Sequence, residues 1–164
     1  MISVQKTVRF QIAAGMIASL MVLSGCDLFK SQQSPKVLVV NVLNEDLYND
    51  CHIPGSIQVD FDKVAEVSKK WSKSSKIVIY CANYACSASA SAARDLKAQG
   101  FDAYEYGAGT AGWLQAGLPV VGSAQSPYLH QSNEQPSESA HDVPEMTTEE
   151  LQLLLNVKSE HLEK

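Results

Sequence analysis

The chain is 164 residues long, 45% hydrophobic and 19% charged, with a net charge of −5. That length suits one domain with appendages, and the apolar content excludes a chain disordered throughout. The acidic balance argues against nucleic acid as a partner, and the four cysteines (Cys26, Cys51, Cys81, Cys86) are too few for a disulfide scaffold and match no zinc spacing, so no metal site is expected.

The chain opens with a short basic start, Lys6 and Arg9, and an apolar run from Ile12 to Leu23. A membrane span needs about 20 apolar residues, so residues 1–25 read as a secretory signal. The run ends in Leu23-Ser24-Gly25-Cys26, which resembles the lipobox of bacterial lipoproteins. The resemblance implies cleavage before Cys26 and acylation, of the palmitate type, of its thiol and new amino group. The product is then a periplasm-facing protein of the bacterial cell envelope, held by a lipid anchor. Asp27 resembles the inner-membrane retention signal of enterobacterial-type lipoproteins. The alternative is an ordinary signal peptide or an uncleaved anchor. Without Lys6 and Arg9 the mature chain carries about −7, and the charge gathers late: residues 122–164 hold eight acids against Lys158 and Lys164.

Residues 26–35 form a lipidated cysteine and polar tether. Lys36 to Val42 is a continuous β-branched run, the signature of a strand buried on both faces. The polar stretch Asn44 to Asp50 leads to Cys51-His52-Ile53-Pro54-Gly55, where Pro-Gly marks a turn before a short strand near Ser56 to Val59. Phe61, Val64, Ala65 and Trp71 recur at helical spacing. Lys76 to Tyr80 is the clearest strand. The small-residue run from Ser87 reads as a helix ended by Gly100, with Ser87 as its cap. A weak strand at Ala103 to Tyr106, a turn at Gly107 and Gly109, and a short helix at Gly112 to Ala116 follow. Strands alternating with helices predict an α/β domain over residues 36–121 with a mainly parallel sheet. Residues 122–146 read as a flexible linker, and 147–164 as an amphipathic helix opened by the capping-box pattern Thr147 to Glu150. That helix either docks on the domain or recruits a protein partner.

Cys81 follows a buried strand and precedes a loop into a helix N-terminus. Ligands sit at the carboxyl ends of strands in such sheets, and a helix N-terminus there lowers a thiol's pKa. On Cys81 alone, a small core cysteine at a strand end is the favoured reading.

Three blocks decide between them. Ile77-Val78-Ile79-Tyr80-Cys81, with Ser87, Ala92-Ala93, Leu96 and Gly100-Phe101, resembles the active-site region of the rhodanese family. His52-Ile53-Pro54-Gly55-Ser56 upstream, and Gly109, Trp113 and Ala116-Gly117-Leu118-Pro119-Val120 downstream, resemble it in the family's order. The resemblance implies a single rhodanese-like domain, a central sheet flanked by helices, with Cys81 as the sulfur-carrying nucleophile. The backbone N–H groups of the loop Ala82, Asn83, Tyr84, Ala85 and Cys86, up to Ser87, would cradle the bound sulfur. The activity implied is transfer of sulfane sulfur from an unidentified donor, through a Cys81 persulfide, to an unidentified thiol acceptor, with no cofactor.

The sequence departs from the family pattern. Asn41 and Leu43 stand where Asp and Arg are frequent, Cys51 replaces a Gly, and Cys86 stands where Arg is frequent. With no Lys or Arg in the loop, activity on anionic thiosulfate is expected to be weak. Cys86 lies five positions from Cys81, so a curled loop brings the sulfurs within bridging range, and the oxidising compartment favours disulfides. Cys86 is then a resolving thiol for Cys81, or a small residue packed under the helix start. Cys51 and Trp113 are read as structural, His52 as a turn histidine and Tyr84 as bordering the pocket mouth. Competing functions are a thiol–disulfide protein using Cys81 and Cys86, and a non-catalytic rhodanese-like binding module.

Overall fold

The computed structural model describes residues 36–135 and 143–157. The expected signal segment, Cys26, Asp27, the tether to residue 35, residues 136–142 of the expected linker and residues 158–164 of the helix expected from the sequence lie outside the described residues. Among the described residues no helix is long and apolar enough to cross a membrane.

Four strands form one all-parallel sheet: β1 (Val37–Asn41), β2 (Ile57–Gln58), β3 (Lys76–Tyr80) and β4 (Asp102–Tyr106), in the order β2-β1-β3-β4. The α/β class and parallel sheet expected from the sequence are observed. β1 and β3 lie centrally, with Val40 opposite Ile79 and Asn41 opposite Tyr80. Their continuous apolar sequences follow from burial on both faces. One face buries Val40, Ile77, Ile79 and Cys81 against α3 (Ala88–Ala98). The other buries Val39, Val78, Tyr80 and Tyr106 around Trp113 of α4 (Gly109–Gln115).

α3 approaches the sheet through Ala92 and Ala93, whose small side chains allow close packing. It ends in a Schellman motif: Gly100 (φ +83°) donates to the Lys97 carbonyl, and the Phe101 amide donates to that of Leu96. Ser87 occupies the cap position, but its side chain makes no capping hydrogen bond. At φ −81° and ψ −3° its backbone is already helical, not in the extended conformation that turns a cap hydroxyl toward the first amides.

Other elements differ from expectation. Asn44 to Asp50 contains a helix, α1 (Glu45–Asp50), capped by Asn44 Oδ1 accepting from the Leu47 amide at 3.0 Å. The single helix expected from Phe61 to Trp71 is a 3-10 turn (Phe61–Lys63), a four-residue α2 (Val64–Val67) and a second 3-10 turn (Ser68–Lys70). Phe61, expected on the apolar face, is 45% exposed.

The largest correction concerns the linker. Residues 122–135 are fastened to the domain. The Asp50 carboxylate accepts from Ser123 Oγ and from the amides of Gln125 and Ser126, and Leu129 of a 3-10 turn (Pro127–His130) is fully buried. Gln115 Nε2 holds the carbonyls of Leu129 and Gln131. Polar composition concealed this, because one leucine and a few side-chain clips do the anchoring. Residues 143–146 then run along the β4 edge. The Glu105 amide donates to the Pro144 carbonyl, and the Met146 amide donates to that of Glu105.

α5 (Thr148–Leu155) follows behind the expected capping box. Leu151 is buried in the Trp113 face of the core, with Leu154, Leu155 and Val157 packed beside it. The helix is docked.

Candidate active site

The parallel pairing of β3 between β1 and β4 delivers Cys81 to the carboxyl edge of the sheet. Thr110 fixes it there from both backbone and side chain: its amide donates to the Cys81 carbonyl at 3.0 Å and its hydroxyl at 3.2 Å. The Ala111 amide donates to the Ala82 carbonyl at 2.9 Å. Gly109 makes this approach possible. At φ +61°, a Cβ there would lie 2.6 Å from the Ala82 carbonyl carbon and 2.7 Å from the Asn83 nitrogen.

Cys81 and Cys86 are joined in a disulfide, with Cα atoms 6.2 Å apart. Cys81 is 1% exposed, whereas Cys86 is half-buried at the start of α3. The sulfurs meet, and Cys86 also packs against the α3 side of the core.

The amide cradle is smaller than the resemblance implied. The Tyr84 amide donates to Asn133 Oδ1 at 3.1 Å, that of Ala85 to Asn83 Oδ1 at 3.1 Å, and that of Cys86 to the Asn83 carbonyl at 3.0 Å. The amides of Ala82, Asn83 and Ser87 make no hydrogen bond among the described residues. They are the ones that could face a bound sulfur, beside the positive end of α3.

Tyr84 is half-buried. Its ring lies over Gly107, where a Cβ would be 3.1 Å from it and 2.9 Å from Glu145 Oε1. Burial, and then Glu145, Glu149 and Glu105, push its phenol above its ordinary value. The C-terminal segment thus brings negative charge to this side of the loop.

Sequence reading missed two residues here. Asn133 receives the Tyr84 amide and donates through Nδ2 to the Ala108 carbonyl at 2.8 Å, joining the cysteine loop to the turn before α4. Glu105, buried on β4, accepts from Ser89 Oγ at 2.8 Å, and the same hydroxyl lies 3.4 Å from the Cys86 carbonyl. Neither sits in a motif. An acid within a buried strand pattern was the one available signal.

The other candidates fall outside the cysteine loop. Cys51 is buried with a free thiol, pushed up to about 11 by burial and by Asp50, so it is a poor nucleophile near neutral pH. His52 stacks on Tyr48 and its Nδ1 lies 2.8 Å from the Tyr48 carbonyl, a turn histidine. Trp113 is buried and donates to the Pro119 carbonyl. Asn41 is buried at the end of β1, its Oδ1 accepting from the Leu43 amide at 2.7 Å. Among the described residues no group of His, Cys, Asp and Glu is arranged to hold a metal.

The family profile described as the rhodanese-like domain matches residues 27–116. Among solved structures, the BH2092 protein of Bacillus halodurans is 30% identical, with a TM-score of 0.50 over 54% of this chain and 65% of its own, so the chain spans about two thirds of that protein's length. A rhodanese-related protein of Thermoplasma volcanium is 25% identical over 52% of this chain and 83% of its own, with a TM-score of 0.48. The rhodanese-like domain of the Alr3790 protein of Anabaena sp. is 26% identical over 65% of this chain and 80% of its own, with a TM-score of 0.49. No curated protein matches. With the profile covering more than half of the chain and a cysteine loop at the end of the third parallel strand, the protein belongs to the rhodanese-like domain family.

Proposed function

We propose that the protein is a sulfurtransferase that carries sulfane sulfur as a Cys81 persulfide and passes it to a thiophilic acceptor. The observation that carries this reading is the position of Cys81, at the carboxyl end of β3 and ahead of a six-residue loop into α3. With the disulfide reduced, the Cys81 thiolate attacks the outer sulfur of a donor, a sulfur–sulfur bond forms, and the remainder of the donor leaves with the bonding pair. An acceptor thiolate then attacks the outer sulfur of the persulfide and restores Cys81. The amides of Ala82, Asn83 and Ser87 and the α3 N-terminus favour the negative charge on sulfur. The test is mass spectrometry of the reduced full-length Cys86→Ser variant, in which no second thiol of the loop can displace the sulfur, after treatment with a low-molecular-weight persulfide. One sulfur atom is gained on Cys81, and adding Cys81→Ser abolishes the gain. Equal loading of the double variant would refute the assignment.

A second reading, a thiol–disulfide protein cycling Cys81 and Cys86, is favoured by the bond between them. It predicts loss of two hydrogens across the pair on oxidation by another protein's disulfide, with no sulfur gained from persulfides by the Cys86→Ser variant and no sulfide released by wild type.

The lipobox-like sequence supports tethering to the periplasmic face of the inner membrane through Cys26, and the acidic chain offers nothing to nucleic acid. Cys26→Ala is expected to leave an unprocessed precursor on immunoblots. A mature-sized soluble product would refute the anchor.

A further inference from the structure

We infer that Cys86 is a catalytic residue that discharges the Cys81 persulfide reductively, so that the domain converts small-molecule persulfides to hydrogen sulfide at the expense of a dithiol. The inference rests on the sulfurtransferase reading above. Cys86 Sγ bonds directly to Cys81 Sγ across a Cα separation of 6.2 Å, ordinary for a disulfide. The inner sulfur of a Cys81 persulfide is therefore the atom within reach of the Cys86 thiolate. Attack there forms the Cys81–Cys86 bond and breaks the bond to the outer sulfur, which departs with the electron pair as hydrosulfide. The sulfane sulfur gains two electrons and the two cysteines lose them. The Cys86 proton is released to solvent and protonates the hydrosulfide in part. Attack on the outer sulfur would move the sulfur to Cys86, but it requires a longer reach and expels an alkyl thiolate, a poorer leaving group than hydrosulfide.

Two further features point the same way. A loop built to keep an outer sulfur would aim its amides inward, yet those of Tyr84, Ala85 and Cys86 are bonded elsewhere, and no Lys or Arg stands in the loop. The outer sulfur is therefore weakly held, as suits release. In the disulfide state Cys81 is buried and Cys86 half-buried, so a dithiol reductant meets Cys86 first. The mixed disulfide forms on Cys86, Cys81 leaves as the thiol or thiolate needed for the next turnover, and the second thiol of the reductant frees Cys86.

The test uses the reduced full-length protein, freed of reductant without air and given one equivalent of glutathione persulfide. Wild type is expected to release about one sulfide per chain and to end with Cys81 bonded to Cys86. Cys86→Ser and Cys86→Ala are expected to hold sulfur on Cys81 and to release sulfide at least tenfold more slowly. Wild type that holds the persulfide as long as these variants overturns the inference and leaves the sulfurtransferase reading intact. If neither wild type nor the Cys86 variants gain sulfur or release sulfide, both readings fall.

Discussion

The docked C-terminal helix gives a sharp test, because α5 carries its own control. Leu151 is fully buried against the Trp113 face of the core, while Leu153, two residues on, is 81% exposed. An eight-residue helix has no independent stability in water, so its helicity depends on docking. Leu151→Ala removes buried methyl groups beside Met146, Tyr106 and Trp113, and such substitutions cost about 2–5 kcal/mol. Leu153→Ala changes an exposed side chain and is expected to fall within about 0.5 kcal/mol of wild type. Urea unfolding of a form starting at residue 27 reads both. With a slope of about 1–3 kcal/mol/M, a loss of about 3 kcal/mol moves the midpoint by about 1–3 M. If the Leu151 and Leu153 variants unfold together with wild type, the helix does not contribute to the core and the docking argument fails.

Ala85 is exposed in the cysteine loop, so Ala85→Arg adds a cation close to the sulfur site, and turnover of thiosulfate is expected to rise several-fold as the dianion is attracted. A rate unchanged at low ionic strength would place donor preference elsewhere. The Asp50 carboxyl is held well below the usual range, first by the Gln125 amide and then by Ser126 and Ser123. A depressed folded value means that the clip on residues 123–126 is fully present above the ordinary Asp value of about 4 and is lost only as pH falls through the lower folded value. The Gln125 and Ser126 amide resonances of wild type are therefore expected to titrate below that value, and Asp50→Asn to remove the transition. A midpoint near 4 would contradict the clip.

Where one physical effect dominates, the sequence was sufficient. β3 is the strand Lys76–Tyr80 as expected, because a β-branched run between polar ends has few alternatives, and the α3 stop at Gly100 follows from a positive φ. α1 was illegible because its single turn depends on the Asn44 cap and buries no apolar stripe. The stretch 61–71 shows the opposite failure: an apolar period was present, but the chain breaks into turns and exposes Phe61. In the site, the place of Cys81 was legible from strand and loop, and the proximity of Cys86 from spacing. The allocation of the loop amides was not, because it depends on Asn83 folding back on its own loop and on Asn133, 49 residues from its partner Tyr84. Long-range polar pairings carry no periodicity for sequence reading to detect.

That allocation bears on what counts as the functional unit. The rhodanese-like match ends at residue 116, yet interactions that set the cysteine loop come from beyond it. Asn133 joins the Tyr84 amide to the Ala108 carbonyl, and Glu145 lies against Gly107 on the side of the Tyr84 ring while accepting from Gln135. The same extension covers the β4 edge with residues 143–146 and seals the Trp113 face with Leu151. A chain cut at the family boundary would release the Tyr84 amide, uncover Tyr106 and Trp113 and expose a sheet edge together. The amide freed at Tyr84 would then be available to an outer sulfur. The extension therefore stabilises the fold and also withdraws the Tyr84 amide from the cysteine loop, and under the proposed persulfide chemistry the second effect leaves fewer donors for an outer sulfur beside Cys86.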